Sequence, residues 1–105
     1  MDIVVPSEVK IGGFTYTVDS SEEACERLRE SKDFGHCINT KRLIRINTED
    51  YSGQENSNTF LHELIEAIND VWCNPKLGHD EITNLCNGLH QVLEGLDVRF
   101  VGKKS

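Results

Sequence analysis

One stretch carries side chains that could do chemistry together: Thr59-Phe60-Leu61-His62-Glu63-Leu64-Ile65-Glu66-Ala67-Ile68. Its apolar spacing is that of an amphipathic helix. On a helix, His62 and Glu66 stand one turn apart and leave the same face. An imidazole and a carboxylate so placed are both zinc-type ligands. Glu63, next to the histidine, is a carboxylate that could move a proton. The chemistry these residues would support together is metal binding, with a base beside the metal to act on water.

The elements around this stretch must hold it. From about 57 to 72 the helical pattern is clear, with Leu61, Leu64, Ile65, Ile68 and Trp72 falling in one stripe, the expected core face. His62, Glu66, Asn69 and Cys73 form a second stripe about 110° away, so the candidate ligands flank the core. Asn74-Pro75-Lys76-Leu77-Gly78 ends the helix, because proline cannot continue it. His79-Asp80-Glu81 begins a second helix with acidic residues in its first turn, and Ile82, Leu85, Cys86, Leu89, Val92, Leu93 and Leu96 make its apolar stripe. His79 and His90 lie at the edge of that stripe.

Ahead of the helices, Glu8 to Ile11, Gly12-Gly13 and Phe14 to Val18 read as a β-hairpin, with the glycines supplying positive φ in the turn. Ser20-Ser21-Glu22-Glu23 matches a capping box with Ser20 as N-cap and Glu23 as its partner, opening a short helix that buries Ala24, Cys25 and Leu28. After a turn at Asp33-Phe34-Gly35, His36 to Thr40 and Arg42 to Asn47 form a second strand pair, in which Ile44 and Ile46 share one face. Thr48 to Ser57 is a polar loop that can open a helical turn at Ser52-Gly53-Gln54-Glu55. Val98 to Val101 can add a short strand, and Gly102 to Ser105 is expected to fray. The fold expected is α+β, a single domain over residues 1–105. A small antiparallel sheet would pack against a helical hairpin that carries the His62 helix.

Bulk properties narrow the function. Eighteen acidic against eleven basic residues give a net charge of −7. The basic clusters, Lys41-Arg42 with Arg45 and the Lys103-Lys104 tail, are too small to offset it, so nucleic acid is not an expected partner. No apolar stretch reaches membrane-spanning length, and Met1-Asp2-Ile3-Val4-Val5-Pro6 lacks the pattern of a signal peptide, so no membrane partner and a cytoplasmic location are expected. Cys25, Cys37, Cys73 and Cys86 form no C-x-x-C pair and read mostly as small buried hydrophobes. His36 beside Cys37 has two readings, a metal pair offered from the strand and, ahead of it, a strand histidine at a sheet edge. No nucleophile elbow and no phosphate-binding glycine loop is present.

Gly35-His36-Cys37, then Ile44-Arg45-Ile46-Asn47, then Thr59 to Asn69 with its His62-Glu63-x-x-Glu66 core resembles the centre of small zincin-like metallopeptidases. Small phage and prophage proteins of that kind are the nearest resemblance, with the SprT-like and ImmA/IrrE-like peptidases further away. The resemblance spans about positions 35 to 95. It departs at Glu66, which stands where the H-E-x-x-H motif has its second histidine. It implies zinc as cofactor, His62 and Glu66 as ligands, Glu63 as general base, and a peptide or protein substrate. Two imidazoles and one carboxylate form a known catalytic zinc set, although an extra anion makes the metal a weaker Lewis acid.

The third ligand has three readings: His79, one of Cys86 and His90, or no third ligand. In SprT-like peptidases a histidine after a glycine completes the set, and Gly78-His79 fits that pattern. A straight antiparallel hairpin about Pro75 would instead place Cys86 and His90 opposite Glu66 and His62. His79 and His90 lie about 16 Å apart along a helix, so they cannot share one ion. If hydrolytic, the chain would pair an extended substrate with the strand at Leu43 to Asn47 by β-augmentation. The alternative is a non-catalytic, metal-stabilised module that binds a host protein, for example a phage-encoded inhibitor of a defence protein in the host cytoplasm.

Overall fold

The computed structural model describes residues 1–51 and 53–102. Ser52 and the tail with Lys103-Lys104 lie outside the described residues. The chain is α+β, with element order β1 (Asp2–Val4), β2 (Glu8–Ile11), β3 (Phe14–Asp19), α1 (Glu22–Ser31), β4 (Gly35–Ile38), β5 (Leu43–Ile46), α2 (Gln54–Trp72), α3 (His79–Gly95) and β6 (Arg99–Val101). Within those described residues, no helix is long and apolar enough to cross a membrane.

The sheet is mixed where an antiparallel one was expected. Its order is β2-β3-β5-β4, with β2–β3 and β4–β5 antiparallel but β3–β5 parallel, Val18 facing Ile44. Helix α1 lies between β3 and β4 in the chain and lets β5 return beside β3 in the same direction, as a parallel pair requires. A second, two-stranded parallel pair joins β1 to β6. In the β2–β3 turn only Gly12 takes positive φ, at 61°. Helix α1 starts one residue later than the capping-box reading: Ser21 is the N-cap, and its Oγ accepts the Ala24 amide at 3.2 Å. The Asp19 carboxylate accepts the Ser21 amide and fixes the entry to that cap. Ala24, Cys25 and Leu28 are buried as expected.

Helix α2 begins near the possible turn at Gln54 and runs unbroken through the former loop. Its inward stripe matches the expected one only in part: Leu61 is buried and Leu64 packs against the core, as expected. Phe60 and Ala67 join Ile11, Tyr16, Val18, Ile44 and Ile46 in the core, with Leu64 and Val71 at its margin. Ile68 and Trp72, expected inside, are exposed. Two neighbours explain the rotation. Ala67 is small enough for the helix to approach the sheet closely, and Phe60 packs edge-to-face on Phe100, 5.1 Å away, where β6 closes the far end. Ser57 Oγ accepts the Phe100 amide and ties β6 to the start of α2.

Candidate metal centre

Three titratable side chains of α2, His62, Glu63 and Glu66, face one cavity where the chain passes close to that helix at Gly35. A Cβ at Gly35 would stand 2.8 Å from Thr59 Cγ2 and 3.0 Å from both Glu63 Oε2 and the Arg45 carbonyl oxygen. Only a residue without a side chain lets β4 begin that near α2. The cavity has a volume of about 500 Å³, and His62, Glu63, Glu66, His79, His36 and Asp33 supply its titratable lining together with Cys37.

His79 reaches this cavity because the loop after α2 folds back. The Asn69 side chain, buried one turn beyond Glu66, makes two hydrogen bonds to one backbone unit. Its Oδ1 accepts the Leu77 amide at 2.7 Å, and its Nδ2 donates to the Leu77 carbonyl at 3.2 Å. This draws the chain past the helix end and returns it to the level of Glu66, where α3 starts at His79. The Glu81 carboxylate accepts the Gly78 amide and caps that start. The straight hairpin that would have favoured Cys86 and His90 is therefore not the geometry found.

One donor atom each from His62, Glu66 and His79 lie within 4.8 Å of one another. His62 Nε2 and Glu66 Oε1 are 3.5 Å apart, and the two imidazole rings meet at 65° with centroids 6.0 Å apart. Tetrahedral zinc with N and O ligands holds its donors about 3.4 Å apart. The His62–Glu66 pair is at that spacing, and the His79 donor lies within 4.8 Å of both. Among the described residues that line the cavity, none is Lys or Arg, so their charge suits a cation.

Glu63 is buried, and its carboxyl is pushed up to about 8 by burial first and then by the Glu66 and Asp33 charges. The nearby thiols stay protonated. Burial raises Cys37 to about 12, with Glu63, Glu66 and Asp70 adding to the effect, and raises Cys86 to about 11, with Glu63 adding. Neither is a ready thiolate ligand. Cys86 instead points its Sγ at the Asn58 carbonyl, 3.5 Å away. His90 is buried beside a neighbouring cavity, its Nε2 3.4 Å from Glu94 Oε1 and without a hydrogen-bond partner among the described residues. The structure thus groups His62, Glu66 and His79 and leaves Cys86 and His90 outside the group.

Two features of the site were not read from the sequence. One is the Asn69 clamp. The other is the pair formed by His36 Nε2 and Asp33 Oδ2 at 2.7 Å on the cavity wall, where the His36 hydrogen bond holds the Asp33 carboxyl below its ordinary value. The Asp-x-x-His spacing was a visible signal for the pair. The strand expected to receive a substrate is also corrected: β5 is paired on both sides, by β3 and β4, so it has no free edge. The free edge beside the cavity belongs to β4. Comparison with protein-family models, curated proteins and solved structures finds no match for this chain.

Proposed function

We propose that this chain is a zinc-dependent hydrolase of the metallopeptidase type, with His62, Glu66 and His79 as the metal-holding residues. The observation that carries the reading is the convergence of those three donors, from two helices, on one acid-lined cavity that also contains Glu63. Zinc held there would supply Lewis acidity, lowering the pKa of a water toward neutrality and polarising a carbonyl.

The chain's own residues divide the remaining work. Glu63 takes the proton from the attacking water and returns it to the leaving amine. Its burial makes ionisation costly without a nearby cation, so a cation at the neighbouring donors favours the carboxylate form that a base needs. The free edge of β4, over Gly35–Ile38, offers backbone groups to an extended peptide beside the cavity. Glu66 in place of a second histidine favours a weaker Lewis acid, and this supports the second reading, a metal-stabilised binding module without turnover.

The test is peptide hydrolysis by zinc-replete protein beside Glu63→Gln, with metal content measured on the same samples. Loss of turnover by at least about 100-fold with full metal retention is the expected result. Turnover unchanged in Glu63→Gln contradicts the assigned base. Metal retained with no turnover in either protein leaves the binding module.

A further inference from the structure

Helix α3 carries an apolar seam that the other described residues leave uncovered. Leu85, Leu89, Val92 and Leu96 are all exposed, between 44% and 67%, and recur at intervals of four, three and four residues, the spacing of a coiled-coil seam. With Ile65 of α2, three of them line a shallow, almost wholly apolar groove of about 590 Å³ that has Gly88 in its floor. A Cβ at Gly88 or Gly95 would meet nothing within 4 Å. A glycine inside a helix costs roughly 1 kcal/mol relative to alanine, and here two of them leave space for another backbone to come near.

The surroundings say what fits this seam. Residues 82–93, Ile-Thr-Asn-Leu-Cys-Asn-Gly-Leu-His-Gln-Val-Leu, contain no Asp, Glu, Lys or Arg, in a chain that is 28% charged with a net charge of −7. A partner selected by charge finds nothing to grip along it. A second copy of this acidic chain brings no like charges together there. The seam is also complementary to itself. When two α3 helices cross antiparallel about a two-fold axis between His90 and Gln91, Leu85 of each meets Leu96 of the other, and Leu89 meets Val92. All four exposed positions then pair among themselves, as an isologous interface requires.

The four seam residues together offer on the order of 400 Å² of exposed surface, the size of the largest apolar patch on a typical monomer, which is often functional. That is about half of the roughly 800 Å² per partner in a standard interface, with exposed Asn84 and Gln91 flanking the seam as a polar rim. We infer that this chain forms a two-fold dimer through the exposed α3 seam, with the occupant of each groove being the α3 helix of a second copy. The inference is independent of the metal reading, since none of the three candidate ligands lines the groove.

Sedimentation velocity of the full chain, in zinc-replete buffer over a range of concentrations, tests it. A species of twice 11.9 kDa is expected for the unaltered protein. Leu89→Glu should raise the dissociation constant at least about 30-fold, as loss of a central interface residue does. The helical circular dichroism and metal content should stay unchanged. Val92→Lys should behave likewise, and mixing the two variants should restore a dimer, because Glu at 89 then faces Lys at 92. An unaltered protein that stays at 11.9 kDa up to millimolar concentration overturns the inference. So does a dimer that survives Leu89→Glu, or two variants that do not associate when mixed.

Discussion

The side chain of Asn69 holds the backbone of Leu77 at both its amide and its carbonyl, and this doubly bonded contact sets His79 beside Glu66. A helix position without charge or metal-binding chemistry thereby decides which histidine joins the candidate ligands. Asn69→Ala removes both bonds. The expected cost is about 1–3 kcal/mol of stability, since the freed amide and carbonyl are part-buried. Zinc affinity should fall about 10–100-fold, the usual effect of removing an outer residue that orients a ligand. Competition with a chromophoric chelator reads the affinity and urea denaturation reads the stability.

Glu63 makes the metal-free protein sensitive to pH. Its folded value lies near 8 against an ordinary 4.5. Between those values the folded chain holds a proton that the unfolded chain releases, so stability is highest at the acid end and declines as pH rises through the window. The slope contributed by this one group is up to about 1.4 kcal/mol per pH unit. In chelator-stripped protein, Glu63→Gln should remove that decline between about pH 4.5 and 8. Equal slopes for the two proteins, measured by denaturant midpoint, contradict the assignment.

Gly35 tests the close approach of β4 to α2. Gly35→Ala places a methyl 2.8 Å from Thr59 Cγ2 and 3.0 Å from the Arg45 carbonyl oxygen. Backbone cannot yield as a side chain can, so a loss of about 1–3 kcal/mol is expected. Combining it with Thr59→Ser, which deletes Cγ2, should recover only part of that loss, as thermal unfolding of the single and double variants would show.

How much of this was legible beforehand follows from the range of the interactions. The Gly12-Gly13 hairpin, the short helix burying Ala24, Cys25 and Leu28, and the Ile44/Ile46 strand face are local patterns, and each is found. The register of α2 against the sheet is not local. Its sequence offers apolar residues around more than half the helix, and the sheet takes Phe60 and Ala67 while Ile68 and Trp72 remain outside. The parallel β3–β5 pairing and the β1–β6 pair join residues far apart in the chain, which no short-range pattern specifies. At the site, the shared face of His62 and Glu66 follows from helical spacing alone, while Glu63 was singled out by its place beside His62 and by the resemblance. His79 came from the Gly78-His79 resemblance, against simple hairpin geometry, and the reason lies in Asn69.

The most direct measurement is metal content, by inductively coupled plasma mass spectrometry, of purified unaltered protein beside His62→Ala, Glu66→Ala, His79→Ala and His90→Ala. About one zinc per chain is expected in the unaltered protein and in His90→Ala, with loss in the other three variants. Unaltered protein without stoichiometric metal, or His79→Ala that keeps its zinc while His90→Ala loses it, would contradict the assigned centre.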